Sequence, residues 1–182
     1  MRSMMMETAV TSKTAPRRNA GFSLVELIIS VSIMVMMTGA ITPALMRYVE
    51  KGRERRDTQS IEMLYSALGG ALYDEVAYDA VKSGLEKKGI YSAPIAASAL
   101  FLQDDAFADA VRDYIPTAPE LTSASAQGRG ASYEIMLYIT ETIDPETGIR
   151  AIKCAVWAGD ADHCAGSEYI GGILPAFVTI DN

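Results

Sequence analysis

Residues 21–28 read Gly-Phe-Ser-Leu-Val-Glu-Leu-Ile, and they open an apolar run that extends to Met46 with Glu26 as its charged residue. At ~1.5 Å per residue, a helix over residues 22–46 would be ~37 Å long, which exceeds the ~30 Å hydrocarbon core of a bilayer. The run therefore predicts a membrane-spanning helix near the start of the chain.

Glu26 is the unusual residue of this run. An ionised carboxylate inside a bilayer costs about a few kcal/mol, and such residues are usually functional and paired with an opposite charge. We therefore treat Glu26 as a candidate functional residue that needs a cationic partner.

The peptide from Gly21 to Ile28, its position and the apolar run after it resemble the processing and assembly signal of type IV pilins and pseudopilins. The specific resemblance covers about residues 20–50. It implies that residues 1–21 are a leader, which a prepilin peptidase removes between Gly21 and Phe22 before it methylates Phe22. Cleavage would create an α-amine on Phe22, and Glu26 lies four residues later on the same helical face. The resemblance thus implies that Glu26 pairs with that amine during assembly; a protonated and merely tolerated Glu26 is the alternative.

The leader itself has two other interpretations. Residues 1–20 are polar with Lys13, Arg17 and Arg18 before the apolar run, and Met4 to Met6 leave the start residue open. A secretory signal peptide is disfavoured, because the run exceeds a signal core of roughly 7–15 residues and no Ala-x-Ala site closes it. An uncleaved signal anchor stays open. Basic residues flank both ends of the span, so only the resemblance implies a cytoplasmic N-terminus.

Residues 47–82 are predicted to continue the helix beyond the membrane. Apolar residues recur at spacings of three and four between Ile61 and Val76, which predicts one face buried against a globular domain. Residues 47–57 are highly charged and predict a solvated helical neck. We expect one rod from Phe22 to about residue 78.

Gly39 and Pro43 interrupt the predicted rod. Pro43 has no N–H to donate to the carbonyl of Gly39, and glycine is a poor helix former. The two residues predict a kink or a locally extended segment over residues 39–43, although membrane helices also tolerate proline without further consequence. A proline at this distance from Phe22 also resembles type IV pilins, which implies that Gly39 and Pro43 take part in assembly.

Residues 83–182 are predicted to form a globular head. We expect a short helix over residues 96–114, ended by Pro116, and an exposed loop over residues 116–131. Three β-rich runs follow, with a hairpin connection between the first two: residues 133–139, 149–157 and 173–180. The expected fold class is therefore α+β and pilin-like, a long N-terminal helix packed on a small C-terminal antiparallel sheet.

The cysteines of the chain, Cys154 and Cys164, both lie in its last third. A small exported head gains stability from a disulfide. Their position also resembles the disulfide-bounded C-terminal loop of many pilins, which implies that the two are bonded to each other. Two thiols are the alternative.

Other chemistry finds little support in the sequence. The chain after Gly21 has 12 basic and 22 acidic residues, which argues against nucleic acid as a general partner. His163 with Asp160 and Asp162 lacks the paired spacing of a zinc site. Calcium on Asp160 and Asp162 is an alternative to a solvated acidic turn. Since the sequence has neither a nucleophile motif nor a Gly-rich phosphate loop, we expect no enzyme activity, no metal and no cofactor.

The expected function is that of a prepilin-like structural subunit. We expect it to span the cytoplasmic membrane before assembly and then to enter an extracellular pilus or an envelope pseudopilus. Its expected partners are other pilin subunits, prepilin peptidase and the membrane. The alternative is a minor pilin or pseudopilin that primes assembly or binds a ligand in adhesion, DNA uptake or protein secretion.

Overall fold

The computed structural model describes residues 21–128, 130, 133–143, 145, 148–171, 175 and 178–181. The chain divides into two compact units, with the boundary between Ala44 and Leu45. The helices of the described residues are α1 (Leu24–Ala71), α2 (Glu75–Glu86), a 3-10 helix (Ile90–Ser92), α3 (Ala97–Leu100), α4 (Ala106–Tyr114) and α5 (Ala124–Gln127). The strands are β1 (Ile95–Ala96), β2 (Glu134–Ile143), β3 (Arg150–Gly159), β4 (His163–Gly171) and β5 (Thr179–Asp181).

Helix α1 contains the apolar run and most of the predicted continuation, but it ends earlier than the sequence predicts. The prediction of one rod to about residue 78 is wrong, because a turn separates the end of α1 at Ala71 from the start of α2 at Glu75. Gly69 and Gly70 weaken the last turn of α1. Asp74 then starts a new helix as its N-cap, since its carboxylate accepts hydrogen bonds from the first backbone N–H groups of α2.

The predicted helix over residues 96–114 is also divided. Helix α3 ends at Leu100, and α4 begins at Ala106 after a turn. Asp105 caps α4 by accepting a hydrogen bond from the N–H of Ala108, and its other carboxylate oxygen accepts the hydroxyl of Tyr91. Because these contacts hold Asp105 in an extended conformation, the chain cannot continue as a helix through it. The predicted loop over residues 116–131 contains the short helix α5.

The head carries one sheet in the order β1-β2-β3-β4-β5. The predicted hairpin between β2 and β3 is confirmed, because these strands pair antiparallel over their whole length. Strand β4 was not predicted, since its sequence from His163 to Gly171 lacks a β-rich alternation. Of the predicted strand over residues 173–180, the described part forms β5 from Thr179, and residues 172–174, 176 and 177 lie outside the described residues. Strand β5 runs parallel to β4, whereas the other pairs are antiparallel.

The two faces of the sheet support two groups of buried side chains. One face packs against α2, α4 and the buried stripe of α1, which includes Ile61, Leu64 and Leu68. The other face carries a smaller group around Trp157, which is fully buried. The long N-terminal helix followed by a small, largely antiparallel sheet confirms the predicted α+β, pilin-like fold class.

Candidate functional site

The predicted processing junction is exposed in the structure. Residues 21–23 precede α1 and are not helical, and Phe22 exposes 82% of its surface. No described atom lies within 4 Å of the position that a Cβ would take on Gly21. A peptidase can therefore approach the backbone between Gly21 and Phe22 without displacing described residues.

Glu26 lies in the first turn of α1, and its side chain is exposed. The helix begins at Leu24, so Phe22 lies two residues before its first residue. The backbone nitrogen of Phe22 is therefore near the N-terminal end of α1. A carboxylate in this turn is also favoured by the positive end of the helix dipole. Within the described residues, no hydrogen bond or ion pair engages the Glu26 carboxylate.

The hydroxyl groups of the helical part of the apolar run, from Leu24 onward, are satisfied within the helix. Four side chains each donate a hydrogen bond of 2.6–2.8 Å to the carbonyl four residues earlier: Ser30, Ser32, Thr38 and Thr42. A bilayer or a protein interior can therefore accept these hydroxyls at little cost. Among the described side chains of the helical part of the run, Glu26 is consequently the polar group that still requires a partner.

The apolar side chains of the run are exposed on all sides of the helix. Leu24, Ile28 and Met36 expose 73%, 54% and 76% of their surfaces, and the other large apolar residues of the run are similar. Helix α1 is long and apolar enough to cross a membrane by length and composition, with a mean hydropathy of 2.2 in its most apolar window. So large an apolar surface requires lipid or other protein around it.

Gly39 and Pro43 both lie within α1, and residues 39–43 are helical. The predicted locally extended segment is therefore wrong, whereas the predicted kink stays a prediction. Pro43 cannot donate to the carbonyl of Gly39, so α1 lacks one of its backbone hydrogen bonds at this point.

Comparison with protein families identifies a match over residues 16–42 to the prokaryotic N-terminal methylation motif. This motif is the signature of type IV pilins and pseudopilins. The match contains Gly21, Phe22, Glu26 and Gly39, and it ends one residue before Pro43. Neither the curated proteins nor the solved structures provide a match to the chain. The pilin signature therefore rests on the N-terminal motif, and the likeness of the head rests on its architecture.

The structure does not form the predicted disulfide between Cys154 and Cys164. Cys164 on β4 lies opposite Gly159 on β3. Gly159 in turn lies five residues along β3 from Cys154. At ~3.3 Å per strand residue the Cα atoms of the two cysteines are ~16 Å apart, whereas a disulfide spans at most ~7 Å. Their side chains also pack on opposite faces of the sheet.

We expect both cysteines to be alkylated when the protein is denatured without a reductant. Burial raises the pKa of the Cys154 thiol to about 11, so this residue should react slowly while the protein is folded. Intact-mass measurement after treatment with iodoacetamide should show two adducts on denatured protein and fewer on native protein. A mass that corresponds to a linked pair would contradict the strand register.

Asp160 and His163 form a turn between β3 and β4 that uses their polar groups internally. The Asp160 carboxylate accepts hydrogen bonds from the backbone N–H groups of Asp162 and His163, and it lies 3.0 Å from the ring nitrogen Nδ1 of His163. Partial burial raises the pKa of Asp160, but these hydrogen bonds outweigh it and lower the pKa overall. The described residues contain no group of three or more possible metal ligands, and calcium at Asp160 and Asp162 stays an untested alternative.

The structure also shows an attachment that the sequence analysis missed, which we call the loop anchor. Asp57 is fully buried on α1, and its carboxylate accepts hydrogen bonds from Thr122 N–H, Thr122 Oγ1 and Ser123 N–H at 2.7–2.9 Å. Glu50 accepts from the N–H groups of Ala124 and Ser125, at the start of α5. Asp57 lies four residues before Ile61 and therefore on the same, buried face of α1. An acidic residue on that otherwise apolar face was the sequence signal that could have predicted the loop anchor.

Proposed function

We propose that this chain is a prepilin-like structural subunit that is processed and then polymerises into a type IV pilus or pseudopilus. The observation that supports the proposal most strongly is the methylation motif at residues 16–42, located on an exposed apolar helix. The exposed junction at Gly21 agrees with it, and so does the Glu26 carboxylate, which no described residue engages.

The proposed assembly step uses the charge that cleavage creates. Removal of residues 1–21 gives Phe22 a free α-amine beside an apolar helix, and Glu26 is the nearest acidic residue along the chain. An ion pair inside an apolar environment contributes little net stability, but breaking it costs roughly 3–5 kcal/mol because one charge is left alone. A subunit would therefore be stable in a helical core only where an amine and a carboxylate meet, which fixes its register.

The two parts of the chain have different roles in this proposal. The apolar part of α1 holds the precursor in the cytoplasmic membrane and later packs with the same part of other subunits. The acidic head remains outside that core, where its sheet and helices form the surface of the filament. The chain is structural rather than catalytic, and its partners are prepilin peptidase and other pilin subunits.

Processing after Gly21 tests this proposal. Intact-mass measurement of protein from its native host should show a chain that begins at Phe22 and carries one added methyl group. A Gly21→Val variant should remain uncleaved, because a branched side chain obstructs the backbone that the peptidase must approach. A mature wild-type chain that still contains Arg17 and Arg18 would overturn the prepilin assignment.

A further inference from the structure

A stripe of cations lies on α1 directly after the apolar run, and we call it the neck stripe. Arg47, Lys51 and Arg55 are four residues apart, so they follow one side of the helix, and all three are exposed. Like charges at this spacing repel each other and destabilise a helix. No ion pair among the described residues offsets this repulsion.

Three acidic residues lie next to the neck stripe. Glu54 forms no ion pair with a described residue, and the other two are engaged elsewhere. The Glu50 carboxylate is engaged by the backbone N–H groups of Ala124 and Ser125 and by Arg53 at 3.7 Å. Asp57 is buried in the loop anchor. The anchor thus draws both carboxylates toward the head, and the cations of the neck stripe face solvent without them.

The chain that follows the neck stripe has the opposite charge. Residues 47–56 contain five basic and two acidic residues, a formal charge of +3, whereas residues 57–182 contain seven basic and 19 acidic residues, a formal charge of −12. On α2, Glu75 and Asp79 are exposed and four residues apart, and no described residue forms an ion pair with either. Their spacing of ~6 Å along the helix equals that of Lys51 and Arg55.

We propose that the neck stripe binds the α2 carboxylates Glu75 and Asp79 of a second copy of this chain. This inference rests on the proposed function, because polymerisation is what brings copies together. The pairing cannot close within one copy: Arg55 lies ~24 Å along α1 from Ala71, and α2 begins only after that end. The neck stripe and the α2 carboxylates are different surfaces of the same chain. A contact between them is therefore head-to-tail and can repeat from copy to copy.

Anionic lipid headgroups are the competing occupant, and the dimensions of the neck stripe disfavour them. From Arg47 to Arg55 the stripe extends ~12 Å along the helix axis, whereas the headgroup layer on each side of a bilayer is ~5–8 Å thick. Arg55 would therefore stand above the lipid surface. A second copy offers carboxylates at matching spacing along the stripe.

Charge reversal in the full chain, expressed in its host, tests the pairing. The Lys51→Glu/Arg55→Glu variant should lower the yield of sheared filaments by about tenfold or more, because like charges then face each other at the contact. The control variant Lys87→Glu/Lys88→Glu makes the same change of net charge elsewhere on the head and should assemble normally. Adding Glu75→Lys and Asp79→Lys to the first variant reverses both surfaces and should restore most of the yield.

A chemical cross-link provides a second, independent measurement on wild-type filaments. A carbodiimide should join Lys51 to Glu75 or Asp79, and mixing isotopically labelled with unlabelled copies should show that the link joins different chains.

The outcomes separate this inference from the proposed function. Wild-type filaments with a full yield from Lys51→Glu/Arg55→Glu would overturn the pairing alone, and so would a lost yield that the added reversals fail to restore. Depletion of that variant from the membrane fraction would assign the neck stripe to lipid and overturn the pairing as well. Absence of filaments and of processing in wild-type cells would overturn the proposed function together with it.

Discussion

Glu26→Ala is expected to leave membrane insertion and cleavage intact but to prevent the subunit from entering filaments. Removing the carboxylate makes the span more apolar, so insertion can only become easier. What is lost is the proposed partner of the Phe22 amine, and an unpaired charge in an apolar core costs on the order of 3–5 kcal/mol. Cleavage should persist, because the bond that is cut lies four residues before Glu26 and requires mainly Gly21.

The measurement follows mass and location together. Cells that express only the variant are separated into membrane and sheared-filament fractions, and the mass of the chain is determined in each. Ser32→Ala is a suitable control, because it removes a polar group of the same helix whose hydrogen bond is already internal. A normal filament yield from Glu26→Ala would disprove the pairing mechanism, and accumulation of uncleaved protein would assign Glu26 to peptidase recognition.

Asp57→Ala is expected to destabilise the head by roughly 3 kcal/mol, because it leaves the partly buried donors of Thr122 and the buried N–H of Ser123 without an acceptor. Unfolding of the full chain in detergent by urea can be followed by the fluorescence of Trp157, the single and fully buried tryptophan. Glu54→Ala removes an exposed carboxylate from the same helix and should change the free energy of unfolding by less than ~0.5 kcal/mol. Equal effects of the two substitutions would show that the loop anchor contributes no stability.

The same residue predicts a dependence on pH. Burial raises the pKa of Asp57, but hydrogen bonds from Ser123 and Thr122 outweigh it, so the pKa lies below its ordinary value of 3.8. The folded chain therefore binds this proton less readily than the unfolded chain does. The stabilisation is complete above about pH 5, and it is lost as the pH falls through the ordinary value and then through the lower folded value. The difference between wild type and Asp57→Ala should accordingly shrink in acid, and a difference that grows would contradict the assignment.

Much of the N-terminal part could be predicted from the sequence, because its determinants are local. The apolar run, the acidic residue within it and the glycine before it follow one another along the chain, and a helix preserves that order in space. The helix boundaries nearer the head were harder to predict from the sequence. The end of α1 and the division of the helix over residues 96–114 depend on Asp74 and Asp105, whose carboxylates capture backbone N–H groups of the next helix. An aspartate in a sequence can equally face solvent, so these breaks were not predicted.

The sequence by itself determined the apolar run that is long enough to cross a membrane, the methylation motif, the isolated charge of Glu26 and the α+β class. Each of these follows from composition and spacing over a few helical turns. Only the tertiary structure decided that Asp57 is buried against Thr122, 65 residues away. It also decided that no described acidic residue forms an ion pair with the neck stripe. It also decided that Cys154 and Cys164 lie on opposite faces of the sheet. The register between strands sets both the distance and the face of a residue, and that register arises from packing of the whole head rather than from the ten-residue separation along the chain.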